Sequence, residues 1–280
     1  MAGFLYIVPT PIGNLEDITL RALRVLKEVD LIAAEDTRHT QHLLSHYGIK
    51  TPLTSYHEHN EREKAQTLVE RIKRGANIAL VSDAGTPALA DPGFRLVVAA
   101  IGAGIQIVPL PGAAALATVL SASGLPTDRF LFEGFLPARN SARKAKLQAL
   151  REEIATVVFY EAPHRLLETL DDMRQLLGDR ELVVAREVSK IHEEFLRGTI
   201  SEVAAQLADR EVKGEITLVV HGSTGGARIS EEQLRTEIRR LTDERVGVKE
   251  ISALFGERYG LTKREVYRLA LEIKGTKSAK

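Results

Sequence analysis

The chain has 280 residues, 38 basic against 38 acidic, no cysteine and 44% hydrophobic residues. That length suits two domains with ample cores, and the missing cysteines exclude disulfides, a thiolate nucleophile and a Cys-ligated metal. No apolar run approaches the roughly 18 residues of a membrane span, and Met1-Ala2-Gly3 lacks the basic region of a signal peptide, so a cytoplasmic protein with no membrane association is expected.

In chain order, the first region is assigned to residues 1–124 as an α/β domain. It opens with a strand-like run, Phe4-Leu5-Tyr6-Ile7-Val8, followed by a helix over Ile18 to Val29 and a strand over Leu31 to Ala34. A polar segment follows, then a helix over Arg62 to Arg74, a strand over Ile78 to Val81, a helix over Phe94 to Ile101 and a strand over Ile105 to Val108. Strands alternating with helices predict a mainly parallel, buried sheet. The second α/β domain, residues 125–226, starts near Phe130-Leu131-Phe132. It has runs at Thr156 to Tyr160, Leu182 to Ala185 and Ile216 to His221, with helices near Ser141 to Glu153 and Arg165 to Leu177. Gly222-Ser223-Thr224-Gly225-Gly226 reads as a flexible linker.

Residues 227–280 read as a helical tail. Ser230 with Gln233 and Thr262 with Glu265 are capping-box patterns. A helix at Val248 to Phe255, a turn at Tyr259-Gly260 and a basic helix carrying Lys263, Arg264 and Arg268 resemble a helix-turn-helix. The tail holds 13 basic and nine acidic residues. Arg139, Arg143, Lys144, Lys146 and Arg151 form a second basic stretch without an acid between them. Each is either a solvated face or a phosphate contact.

Three of the strand runs break into small-residue loops: Pro9 to Asn14, Ser82 to Pro87, and Pro109 to Ala115. In an open α/β sheet, ligands bind outside the carboxyl ends of the strands, where such loops gather. Gly and Ala there admit a ligand close to the backbone. The ligand is not read as a dinucleotide by the standard fingerprint: Gly102-Ala103-Gly104 follows a helix and precedes a strand, and no Walker loop occurs. His39, His42 and His46, with His57 and His59, lie in a polar segment without a His-Glu-x-x-His pattern, and no metal is expected. Tyr56, His57 and His59 are candidates for stacking on unpaired bases.

The opening Leu5 to Thr19 and the loops at Val81 to Pro87 and Pro111 to Ala115 resemble the tetrapyrrole methylase superfamily and its S-adenosylmethionine-binding motifs. Within it, Ala34-Glu35-Asp36-Thr37-Arg38, Ser82 through Gly93, Phe159 through Arg165 and Arg186-Glu187-Val188-Ser189-Lys190 are similar to the ribosomal RNA small subunit methyltransferase I branch. The resemblance implies two α/β domains with S-adenosylmethionine in the cleft between them. It further implies 2′-O-methylation of a cytidine of 16S rRNA in the decoding region of the small subunit, and a homodimer. No DNA partner is expected. Carried over, Ile12 and Gly13 line the donor pocket from the first loop, and Asp83, Gly85, Thr86 and Leu89 from the second. Gly112, Ala113 and Ala114 follow from the third, then Tyr160, Ala162 and Thr217 from the second domain. The family's porphyrin-methylating members usually have a Gly-rich first loop and Gly-Asp-Pro in the second. Pro9-Thr10-Pro11 and Gly85-Thr86-Pro87 depart from both, which points away from a tetrapyrrole substrate, the remaining alternative.

Asp36, Glu161 and His164 are candidates for handling the hydroxyl proton, each beside a strand end, and Arg38 and Arg186 for phosphate contact. Asp36 with Arg38 also reads as an internal ion pair, and His164 as a helix-start residue after Pro163.

Overall fold

The computed structural model describes residues 2–224, 231–243, 246–259, 266–270 and 273. Its first sheet is wholly parallel. Strands β1 (Phe4–Ile7), β2 (Leu31–Ala34), β3 (Leu53–Ser55), β4 (Ile78–Val81) and β5 (Gln106–Pro109) stand in the order β3-β2-β4-β1-β5. Every residue of β2 and β4 is buried, which is why these strands are uniformly apolar: helices cover both faces. On one face Leu5, Leu31 and Ile78 meet Leu68, Ile72 and Leu96. On the other, Ile32, Ala79 and Val81 meet Val25, Leu26 and Leu44. The helices are α1 (Leu20–Glu28), α2 (Thr37–His46), α3 (Glu61–Lys73), α4 (Phe94–Gly102) and α5 (Ala115–Ser123).

Two expectations change here. The polar segment after β2, given no element in the sequence reading, forms α2 and β3. Asp36 caps α2 by accepting the Arg38 N–H at 2.8 Å, while Thr40, Leu43 and Leu44 supply a narrow buried stripe. The third strand run is not buried, since β5 is the sheet edge and exposes Gln106 and Pro109.

The second sheet is mixed. Strands β6 (Phe130–Phe135), β7 (Thr156–Glu161), β8 (Glu181–Arg186), β9 (Glu194–Thr199) and β10 (Ile216–Val220) take the order β6-β7-β10-β8-β9. β6 runs parallel to β7, whereas β10 is antiparallel to β7 and β8, and β8 to β9. Helices α6 (Asn140–Ala149), α7 (Leu166–Leu177) and α8 (Ile200–Leu207) pack on it. Leu147, Leu170, Met173 and Val203 close over Val157, Phe159, Leu182 and Leu218. β9 and α8 are additions to the sequence reading.

The tail contains α9 (Glu231–Asp243) and α10 (Val248–Tyr259), and residues 266–270 are helical. Leu234, Ile238, Ile251, Phe255, Val266 and Leu269 share its core. Both expected capping boxes depend on residues outside the described set, as do Lys263, Arg264 and Gly225-Gly226. Among the described residues, no helix is long and apolar enough to cross a membrane.

Candidate functional site: the cleft between the two sheets

The loops that follow β1, β2, β4 and β5 face the ends of β6, β7 and β10 across a cleft of about 400 Å³. Hydrogen bonds stitch its walls together. Thr10 and Gly85 exchange N–H···O=C bonds of 2.9 and 3.0 Å, joining the first loop to the second. The Thr86 hydroxyl donates to the Ala113 carbonyl at 3.0 Å, joining the second to the third. The Leu116 N–H donates to the Tyr160 hydroxyl at 3.3 Å, reaching across to the second sheet. Gly85 sits at φ +80°, and a Cβ there would stand 3.4 Å from Ile12 Cγ2, so the residue both permits the turn and keeps the floor low.

The structure brings Ile12, Asp83, Gly85, Thr86 and Leu89 to this cleft from one side, with Ala114 beside them. Tyr160, Ala162 and Thr217 come from the other. Three expected residues lie elsewhere. Gly13 abuts Lys190, where an added Cβ would fall 2.4 Å from Lys190 Cγ, and lines a neighbouring open groove. Gly112 is pressed on Pro9, with 2.6 Å between its would-be Cβ and Pro9 Cβ. Ala113 contributes its carbonyl to Thr86 rather than a wall to the cleft.

The five acid–base and charge candidates separate in the same way. Glu161 reaches the cleft, but its carboxylate is already engaged. Oε1 accepts from the Ala162 N–H and the Arg165 guanidinium, and Oε2 from the Thr169 hydroxyl. Asp36 stands outside, where the Arg38 guanidinium pulls its pKa down to about 2. Only its backbone reaches inward, donating to Asp83 Oδ1 at 2.9 Å. Arg38 is exposed, and His164 is an exposed residue of the short turn Pro163–Arg165, away from the lining. Arg186 is paired with Glu194 at 3.1 Å.

The sequence reading missed Glu35, Asp91 and Glu215, which all line the cleft. Burial and the charge of Asp83 raise the Glu35 pKa. Burial, then the charge of Glu35, lift that of Asp91 to about 6. With Asp83 and Glu161 these acids face no Lys, Arg or His among the lining residues. Such a cleft, apolar at Leu89, Phe135 and Val188 and negative elsewhere, suits a ligand with a flat apolar part and positive charge. Asp91 lies within the Ser82 to Gly93 stretch that carries the family resemblance, but nothing in its spacing distinguishes it from the residues around it.

Other candidates are redirected. Tyr56 is fully buried in the first core and cannot stack on a base. His39, His42 and His46 occupy exposed positions on α2, and no described group of three or more His, Cys, Asp or Glu is placed to hold a metal ion. The basic stretch at α6 is largely paired. Arg143 is 1% exposed between Asp172 and Glu168, Lys144 meets Asp172, and Lys146 meets Glu133.

Two α/β halves with a ligand cleft at the strand ends define a methylase-type architecture, and comparison with known proteins agrees. Residues 4–204 match the family model for tetrapyrrole (corrin/porphyrin) methylases. Ribosomal RNA small subunit methyltransferase I of Synechocystis sp. is 50% identical over 97% of this chain and 98% of its own length. The protein of that name from Haemophilus influenzae is 50% identical over 97% of both chains. A Thermus thermophilus uroporphyrin-III C-methyltransferase, solved with S-adenosyl homocysteine, is 19% identical with a TM-score of 0.57. It covers 78% of this chain and 97% of its own. The chain belongs to the tetrapyrrole methylase family and, within it, to the ribosomal RNA small subunit methyltransferase I group.

Proposed function

We propose that this protein methylates small-subunit ribosomal RNA with S-adenosylmethionine as donor. We assign the target as the 2′ oxygen of a cytidine in the decoding region of 16S rRNA, reached on the assembled subunit by a homodimer in the cytoplasm. The observation that carries the reading is the extent of the likeness. The rRNA methyltransferases of Synechocystis sp. and Haemophilus influenzae are 50% identical over 97% of the chain, whereas the porphyrin enzyme is 19% identical over 78% of it.

The cleft fits the donor. Ala84, Gly85, Ala114 and Ala115 leave a slot for a flat base, with Ile12 and Leu89 beside it, and the carboxylates offset positive charge. The donor supplies an electrophilic methyl group on a cationic sulfur. Thr86, Tyr160 and Thr217 offer polar atoms that orient the bound molecules, and closure between the two sheets removes water from them. The exposure of Arg38, whose guanidinium pairs with Asp36 beside the cleft loop, supports assigning it a phosphate of the RNA. Exposed Arg239, Arg240, Lys249 and Arg268 give the tail a basic surface for docking on the subunit. For the dimer, Phe94, Val98 and Ile101 form an exposed apolar row on α4 next to the open edge at β5.

The test offers labelled S-adenosylmethionine with small subunits, free 16S rRNA and a porphyrinogen, the RNA taken from cells lacking this protein. Label mapping to a 2′-O-methylcytidine in subunit RNA is expected. Label confined to the porphyrinogen would move the chain to the small-molecule methylases.

A further inference from the structure

Methyl transfer to a hydroxyl must dispose of a proton, and two half-buried carboxylates of the cleft, Glu35 and Asp91, enter no ion pair among the described residues, Asp91 alone lying on a strained segment. Glu161 is taken up by Ala162, Arg165 and Thr169. Asp83 Oδ1 accepts the Asp36 N–H, and Glu215, largely exposed, accepts from Lys190 Nζ at 3.2 Å. Asp36 is outside, bound to Arg38. Asp91 is half-buried in the wall and enters no ion pair among the described residues; the Ser82 hydroxyl lies beside it.

The segment that carries Asp91 has an unusual backbone. Ala88 at φ 69° and Ala90 at φ 65° both occupy the left-handed region that disfavours a Cβ. Strain of this kind persists where surrounding structure imposes it, commonly at functional sites. The same segment passes close to the second sheet: a Cβ on Gly134 of β6 would lie 3.7 Å from Ala90 Cβ. The left-handed residues on its N-terminal side set the direction in which Asp91 leaves the chain.

We propose that Asp91 is the proton acceptor for the attacking hydroxyl, held in position by the strained turn at residues 86–93; this rests on the methyl-transfer reading above. As the hydroxyl oxygen bonds to the methyl carbon, the carbon–sulfur pair stays on sulfur as a neutral thioether, and the proton passes to an Asp91 carboxylate oxygen, then to water. The electrostatics support the role. Glu35 after β2, Asp83 after β4 and Glu215 before β10 all face Asp91 with negative charge, Tyr160 stands opposite on β7, and no lining residue is cationic. A carboxylate lifted to about 6 remains mostly ionised at neutral pH and is a better base than an ordinary one.

The experiment uses the full chain with small subunits in single turnover between pH 5 and 8. The wild-type rate should rise to a plateau with a midpoint at about 6, tracking the Asp91 pKa. Asp91→Asn should lose about 100-fold or more and the pH dependence with it. Glu35→Gln, which removes a negative neighbour, should move the midpoint down. Carboxyl-13C NMR of the donor-free protein should show an aspartate titrating near that midpoint and missing in Asp91→Asn. Calorimetry should find donor affinity within about fivefold of wild type in that variant. A wild type that labels RNA alongside an Asp91→Asn protein with matching rate and pH profile overturns the assignment alone. A wild type that labels no RNA overturns the methyl-transfer reading and the assignment together.

Discussion

Two clusters of like charge meet opposite fates in this molecule. Around α6, Arg143 is buried against Asp172 and Glu168 while the half-exposed Lys144 and Lys146 pair with Asp172 and Glu133, so a stretch that reads as a basic stripe is largely taken up in ion pairs. In the cleft, Glu35, Asp83 and Asp91 crowd together without a cation on the lining, and burial, with the charge of their neighbours, raises the pKa of Glu35 and Asp91. Pairing neutralises charge that serves the fold. Charge left unpaired in a concave wall is costly to the folded chain and favourable only when a complementary ligand arrives. The contrast locates function where local charge balance fails, not where charge is densest along the sequence.

The sharpest way to break this contrast is Arg143. Removing a buried partner leaves Asp172, itself 4% exposed, with Lys144 as its remaining cation, and Arg143→Ala should cost about 3 kcal/mol in urea unfolding. Replacing both with apolar residues, Arg143→Met with Asp172→Leu, should recover most of that loss. If Arg143→Ala instead keeps full stability and weakens RNA binding, the α6 cluster belongs to the substrate surface and the contrast fails.

Gly112 sharpens the boundary between scaffold and cleft. A methyl group there would press on Pro9, so Gly112→Ala should destabilise by about 1–3 kcal/mol in thermal melts of the donor-free protein. A melt equal to wild type combined with weaker donor binding would return Gly112 to the pocket wall.

What the sequence made legible follows from these local balances. β1, β2 and β4 stand out because strands covered on both faces are apolar without interruption, and the loops beyond them because tight turns demand Gly, Pro and Ala. β9 has no such signature: Glu-Phe-Leu-Arg-Gly-Thr is an edge strand, half exposed, pairing only with β8. α2 was obscured because its buried stripe is just Thr40, Leu43 and Leu44 among histidines. The cleft loops could be read, but the carboxylates could not. Whether Asp36 or its neighbour Glu35 faces inward depends on where the chain turns into α2. Asp91 reaches the wall only because Ala88 and Ala90 adopt a backbone that their residue type does not announce.

The smallest predicted effect tests the cost of that unpaired charge directly. Asp91 has a folded pKa near 6, above the usual carboxylate range, so folding favours its protonated form. Its contribution to stability is therefore fully present below the unfolded pKa and is lost as pH rises through about 6, because the ionised group is desolvated by burial and repelled by Glu35 and Asp83. Asn at this position carries no such charge. Solvent at the cleft mouth screens the repulsion, which leaves a stability gain for Asp91→Asn on the order of 1 kcal/mol larger at pH 8 than at pH 4.5. Paired melts at the two pH values check this. A difference that stays constant with pH would mean that Asp91 feels no net negative field, and the cleft would then be no less balanced than α6.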